Sequence, residues 1–249
     1  MKININTKQG KGSRSVQQDT YGISRKYVGR EKGILAVLSD GMGGMQAGET
    51  FSRIAAEEMV NAFELDDSRE DMTVRLQNAY RAARNKALEA AEKQQLEGGA
   101  TVVAVLVHKG MCTFLSVGDS RIYLYRGGLI QLNREQVLGT ELDEKAAFGL
   151  TLKREAKYNR YRDSVTNHLT MPEELPVDCP ERPFSLLPGD RLVLLSDGVF
   201  RTLNDEEIER IVADPEDKRA KALIDAVNKR AMPDQDNYSA VVLSARKGE

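Results

Sequence analysis

Residues 34–41 read ILAVLSDG, in which five apolar residues are followed by Ser-Asp-Gly. RLVLLSDG at residues 191–198 also ends in Ser-Asp-Gly, and TFLSVGDS at residues 113–120 is a largely apolar run that likewise ends at an aspartate. Short runs rich in Val, Leu and Ile that are bounded by Gly, Ser or Asp are typical of β-strands. The sequence therefore predicts three strands that each end at an aspartate, and these aspartates are Asp40, Asp119 and Asp197.

Helices are predicted on either side of these strands. Apolar residues recur at three- and four-residue spacing over about 47–64, which is typical of a helix with one buried face. A second helix is expected to begin at a capping box formed by Ser68 and Asp71 and to run to Leu96. A third is expected to begin near Pro215, since proline suits the first turn of a helix.

Further β-rich runs indicate a largely antiparallel arrangement. Turn dipeptides, Lys-Gly and Gly-Gly, separate neighbouring runs, so residues 101–132 are expected to form a meander. Residues 133–163 are highly charged and lack a strand pattern, which indicates a surface insertion. No linker or repeat divides the chain, and we therefore expect one α+β domain over residues 1–249, with helices covering β-sheets.

Five aspartates are attached to strand ends. Asp19 and Asp236 directly precede β-rich runs, whereas Asp40, Asp119 and Asp197 follow them. Each Asp-Gly pair alone is typical of a turn. In antiparallel neighbours, however, the end of one strand lies beside the start of the next, so all five could meet at one edge. Such a cluster would need cations, and oxygen ligands without His or Cys favour magnesium, manganese or calcium over zinc.

Composition excludes several classes of protein. The chain has 36 basic and 38 acidic residues, a balance that does not favour nucleic-acid binding. No apolar window approaches the length of a membrane span, and the first residues lack the apolar core of a signal peptide. Cys112 and Cys179 are not arranged as a zinc site or a disulfide framework, so a cytoplasmic protein is expected.

The chain resembles the metal-dependent protein phosphatase family of type 2C, in particular its bacterial serine/threonine branch. The resemblance is carried, in order along nearly the whole chain, by SRSVQQD at 13–19, SDGMGGMQAGE at 39–49, GGATVVAVLV at 98–107, VGDSRIYLYR at 117–126, LLSDGV at 194–199 and DNYSAVV at 236–242. It implies a β-sandwich of two antiparallel sheets flanked by helix pairs, with a flap insertion at about 133–163 and the metals in a cleft at one end.

The resemblance also implies a role for each aspartate in binding two Mg or Mn ions. Asp40 would bridge the ions, Asp197 and Asp236 would complete the first, and Asp19, mainly through water, and the Gly41 carbonyl would complete the second. Asp119, with Asp197, matches the positions of a third and weaker metal. Arg14 matches the phosphate-binding arginine, and its planar fork of donors can hold two phosphate oxygens. Arg14, Asp40 and Asp197 are therefore the expected catalytic residues.

The implied activity is hydrolysis of phosphoserine and phosphothreonine on proteins. Two nearby metals can share a water, lower its pKa and supply a bridging hydroxide that attacks phosphorus. The expected partners are phosphorylated proteins, substrates of a bacterial Ser/Thr kinase that the enzyme opposes, and the protein is expected to be a monomer. Two alternatives remain open: a catalytically silent phosphoprotein-binding regulatory module of the same fold, and a narrow phosphatase for one anti-sigma-factor antagonist.

Two positions depart from the family pattern. Met42 stands where some members have histidine, a candidate proton donor, and residues 132–136 read LNREQ instead of a sequence like Leu-Thr-x-Asp-His. His108 and His168 are expected to be surface or packing residues. The basic residues of the insertion favour either an acidic phosphopeptide or an ordinary solvated surface, and they are Lys153, Arg154, Lys157, Arg160 and Arg162.

Overall fold

The computed structural model describes residues 1–25, 32–68, 70–215 and 218–248. Its strands are β1 (Lys2–Gly10), β2 (Asp19–Ile23), β3 (Ile34–Gly43), β4 (Gly98–Ala100), β5 (Val102–His108), β6 (Met111–Val117), β7 (Arg121–Tyr125), β8 (Leu129–Gln131), β9 (Phe184–Ser185), β10 (Arg191–Leu195) and β11 (Tyr238–Arg246). Its helices are α1 (Met45–Leu65), α2 (Met72–Gln94), α3 (Leu138–Ala147), α4 (Lys153–Lys157), α5 (Asp197–Phe200), α6 (Asp205–Ala213) and α7 (Arg219–Arg230).

The strands form two antiparallel sheets. One has the order β1-β11-β10-β7-β8, and the other has the order β2-β3-β5-β6-β9, with β4 paired to the end of β3. Side chains from both sheets, such as Leu38, Val105, Leu194 and Val241, pack together in one buried layer. The predicted sandwich of two antiparallel sheets is confirmed.

Helices cover the outer faces of both sheets. Helices α1 and α2 pack on the sheet that contains β3, where Phe51 and Leu76 join Leu35 in a second buried cluster. Helices α6 and α7 cover the other sheet with Ile208 and Leu223. Strand β3 is thus buried on both faces, which explains why residues 34–38 are continuously apolar instead of alternating. No helix in the described ranges is long and apolar enough to cross a bilayer.

The helix boundaries correct two sequence expectations. The N-cap of α2 is Asp71, whose carboxylate accepts hydrogen bonds from the backbone N–H groups of Thr73 (2.8 Å) and Val74 (3.4 Å). The expected capping box beginning at Ser68 is therefore wrong, because Asp71 itself satisfies the free N–H groups of the first turn. The helix expected from Pro215 begins at Arg219, and residues 216–217 lie outside the described residues.

Residues 133–136 are tied to the sheets. The Asn133 side chain donates to Ser116 Oγ (2.8 Å) and to the Ser120 carbonyl (2.9 Å), and it accepts from the Ile122 N–H (2.7 Å). The segment that stands apart is 138–164, which contains α3 and α4 and which we call the flap. Its two ends meet where the Leu138 N–H donates to the Ser164 carbonyl (2.9 Å).

Substitution Asp71→Ala should lower the free energy of unfolding by about 1 kcal/mol, because two N–H groups of α2 lose their acceptor. Ser68→Ala, at the position that the sequence favoured as N-cap, should change it by less than about 0.5 kcal/mol. Urea denaturation of the two variants measures both values. A larger loss for Ser68→Ala than for Asp71→Ala would contradict this assignment of the cap.

Candidate metal centre

The sheets bring the predicted aspartates to one end of the sandwich. In the register between β2 and β3, Asp19 lies directly opposite Asp40. The other carboxylates are Asp119, two residues after β6, Asp197, the first residue of α5, and Asp236, two residues before β11. The cleft at this end has a volume of about 300 Å³, and its lining includes Arg14, Asp40, Gly41, Asp119, Asp197 and Asp236. Asp19 is 2% exposed and lies behind Asp40.

Burial and mutual repulsion raise the pKa values of these carboxyl groups. The pKa of Asp40 is raised well above its usual range, first by burial and then by the charges of Asp19, Asp197, Asp119 and Asp236. The pKa of Asp197 is also raised by burial and by Asp236, although Arg201 opposes the shift. Without cations, the cluster is therefore stabilised by retaining protons.

Asp19 offers an oxygen that lacks a partner. Its Oδ2 accepts a hydrogen bond from Ser196 Oγ (2.7 Å), whereas its buried Oδ1 has no hydrogen-bond partner of good geometry among the described residues. Burial raises the pKa of Asp19 to about 7, while Ser196 and Ser239 lower it and Asp197 and Asp236 raise it further. A buried carboxylate oxygen without a donor fits a site that receives a cation or a cation-bound water.

The donor set fits Mg²⁺ or Mn²⁺, although no complete coordination sphere is preformed in the described parts of the chain, where no three Asp, Glu, His or Cys side chains are grouped closely enough to hold an ion. Two carboxylates are paired with arginines instead. Asp236 Oδ2 lies 2.7 Å from Arg14 Nη2, and Asp197 Oδ2 lies 2.8 Å from Arg201 Nε. Side chains in the cluster must therefore rotate before an ion can bind. The cluster nevertheless offers the oxygen ligands that hard cations prefer.

Gly41 lies in the cleft for a different reason from the one expected. An Asp-Gly pair is typical of a turn, but β3 continues to Gly43 and the Gly41 N–H donates to the Gln18 carbonyl (3.1 Å). A Cβ at Gly41 would lie 2.1 Å from the Gly48 carbonyl oxygen, so any side chain would collide with the backbone of α1. Glycine is therefore required by a close approach of two backbone segments.

Asn237 is a structural residue of the site that the sequence reading passed over. Its Nδ2 donates to the carbonyls of Lys11 (2.8 Å) and Val16 (3.1 Å), and its Oδ1 accepts from the Gln18 N–H (2.8 Å). These bonds hold the loop that carries Arg14 against the start of β11. The sequence signal for this role was an asparagine directly after Asp236, and its side chain is buried.

Arg201, which the sequence did not single out, contacts three carboxylates. Besides Asp197, its guanidinium lies 3.6 Å from Asp119 Oδ2 and 3.5 Å from Asp163 Oδ2, the latter in the flap. Burial and the charge of Asp197 raise the pKa of Asp119 to about 6, and Arg201 opposes that shift. The guanidinium thus supplies positive charge on the flap side of the cleft.

Of the positions that depart from the family pattern, Met42 lies at the cleft. Met42 lines the cleft, whereas His108 ends β5 and His168 Nδ1 lies 3.1 Å from Thr170 Oγ1, away from the cleft lining. In the flap, Arg162 binds Asp143 through both terminal nitrogens (3.0 and 2.6 Å) and so holds α3 in place. The other basic residues of the flap are exposed, and they are Lys145, Lys153, Arg154, Lys157 and Arg160.

Known proteins share this architecture. A family model described as protein phosphatase 2C matches residues 11–235. A putative protein phosphatase 2C-type from Streptococcus pyogenes is 28% identical over 92% of both chains. The serine/threonine protein phosphatase PstP of Mycobacterium tuberculosis is 32% identical over 84% of this chain, which spans 40% of that protein's length.

Among solved structures, the catalytic domain of PstP in complex with two manganese ions superposes with a TM-score of 0.79, at 25% identity, over 98% of this chain and 99% of that one. The family model covers most of the chain, and the superposition covers both sheets. The chain therefore belongs to the protein phosphatase 2C family.

Proposed function

We propose that this chain is a Mg²⁺- or Mn²⁺-dependent phosphatase that hydrolyses phosphoserine and phosphothreonine on proteins. The proposal rests on a cleft in which the candidate metal ligands are all oxygen atoms and in which Arg14 is placed to bind phosphate. Relatives named serine/threonine protein phosphatases, one of them solved with two manganese ions, support the same reaction. The silent-module alternative gains no support, because every expected carboxylate is present in the chain.

In this proposal, Asp40, Asp197, Asp236, Asp19 and the Gly41 carbonyl hold two metal ions. When bound, the ions supply Lewis acidity and a water of lowered pKa for attack on phosphorus. Asp40 is suited to the central position because it faces Asp19 across the strand pair and is close to Asp197. A hydrogen bond from Ser196 orients the Asp19 carboxylate.

Arg14 has to change partners during this reaction. In the metal-free arrangement it binds Asp236, and both side chains are about half exposed, so the pair is readily broken. If Asp236 held a metal ion, its charge would be neutralised and the Arg14 guanidinium would be free to bind phosphate oxygens. A bidentate arginine can then offset charge on the equatorial oxygens in the transition state.

The biological setting remains a prediction. A bacterial serine/threonine kinase is the expected opponent, and its substrates are the expected partners. A monomer in the cytoplasm is the expected form, and two free cysteines are compatible with a reducing compartment.

Hydrolysis of a phosphothreonine peptide should require manganese or magnesium and should cease with a chelator. Asp40→Asn and Asp197→Asn should each lower kcat/KM by about 100-fold or more, since each removes a charge that positions the ions. Asp225→Asn, an exposed change on α7, is the matched control. Activity that survives chelation, or both substitutions, would contradict a metal mechanism.

Arg14→Ala should lower kcat/KM for the same peptide by about 10- to 100-fold, the value of a charge-assisted hydrogen bond. Manganese affinity should stay unchanged or rise, because Asp236 loses a competing cation. Isothermal titration calorimetry measures that affinity, with Arg53→Ala on the outer face of α1 as the control. An equal loss of catalysis and of metal affinity would assign Arg14 to the metal site instead.

The metal-free protein should become less stable as the pH rises from 5 to 7. The pKa values of Asp19 (about 7) and Asp40 are raised in the folded state, so the folded protein still binds protons that the unfolded chain has already released. These bound protons stabilise the folded state, and the stabilisation is lost as the pH rises toward the folded-state pKa values. Each such carboxyl contributes about 1.4 kcal/mol per pH unit, or roughly 3–5 °C in Tm.

Thermal melts with EDTA and with saturating Mn²⁺ across this pH range test the expectation. Manganese should abolish the decline, and Asp19→Asn should make it shallower. A metal-free Tm that is flat or rises between pH 5 and 7 would show that these carboxylates are not held close together and buried.

A further inference from the structure

Arg201 is a partly exposed arginine at the end of α5 that faces several carboxylates. It is the C-cap of α5, and its backbone N–H donates to the Asp197 carbonyl (2.8 Å). Its Nε lies 2.8 Å from Asp197 Oδ2, and its two terminal nitrogens face Asp119 (3.6 Å) and Asp163 (3.5 Å). One guanidinium therefore lies among three carboxylates that come from different parts of the chain.

This position coincides with the one that the resemblance implies for a third metal, between Asp119 and Asp197. A guanidinium is always protonated, so it supplies positive charge whether or not metal is available. A divalent ion on the same two carboxylates would meet that charge at close range and would have to displace it. The residues present here do not fit a third cation.

We propose that Arg201 takes the place of the third metal ion, neutralises Asp119 and Asp197, and ties Asp163 of the flap to the floor of the cleft. The inference rests on the proposed function and limits the number of bound metal ions to two. Asp163 is adjacent to Ser164, whose carbonyl holds Leu138 at the other end of the flap. The contact with Asp163 therefore links the base of the flap to the carboxylate cluster.

The number of bound Mn²⁺ ions tests this substitution directly. Equilibrium dialysis with elemental analysis should give two ions per chain for the wild type and three for Arg201→Ala. The double variant Arg201→Ala with Asp119→Asn should return to two, and the matched control Arg53→Ala, an exposed arginine paired with Glu57, should stay at two. Arg201→Lys keeps the charge and should also bind two.

Hydrogen exchange of the flap supplies a readout that is independent of metal counting. Arg201→Ala and Asp163→Asn should both make backbone exchange in residues 138–164 about 2- to 5-fold faster, because an exposed ion pair contributes only modestly. Asp163→Asn should nevertheless keep two ions, since Arg201 still covers Asp119 and Asp197.

Three manganese ions on the wild type, or two on a folded Arg201→Ala, would overturn the role of Arg201 and leave the proposed function intact. Unchanged flap exchange in both variants would overturn the link to Asp163. A wild type that binds no manganese would overturn the proposed function and this inference together. The wild-type count alone decides the proposal should a variant fail to fold.

Discussion

Repulsion among buried carboxylates is the constraint on which the rest of this structure depends. Antiparallel pairing sets Asp19 opposite Asp40, and the ends of other strands add Asp119, Asp197 and Asp236. Burial makes each negative charge costly, and the proximity of the others increases that cost. The cluster is therefore stable only where protons, arginines or metal ions neutralise its charge.

The two arginines at the cluster differ in how easily an ion can replace them. Arg14 extends from a loop and pairs with Asp236, which is itself partly exposed. Arg201 is fixed by its place at the end of α5 and by three carboxylates. An entering cation should therefore release Arg14 toward substrate while Arg201 stays in place. In the proposed mechanism, Arg14 would then bind phosphate and Arg201 would remain part of the framework of the site.

Local sequence patterns predicted the elements of the site but not its long-range contacts. The apolar run before Asp40 was readable because a strand buried on both faces must be continuously apolar. Periodicity cannot reveal contacts between residues that are far apart in sequence. Such contacts here are the pairing of Asp19 with Asp40, the bonds from Asn237 to the loop that carries Arg14, and the contact of Arg201 with the flap. Some local signals were also missed, since Asn204 and Glu207 form a capping box at the start of α6.

The departure at Met42 bears on how the leaving oxygen obtains its proton. The described lining of the cleft consists of carboxylates, arginines, amides and small or apolar residues, without His or Lys. Arginine does not release its proton in proteins, and the carboxylates lose theirs once cations neutralise the cluster. The cleft opens to solvent beside Arg14, which is more than half exposed. Under the proposed mechanism, water is therefore the expected proton donor to a departing serine or threonine oxygen.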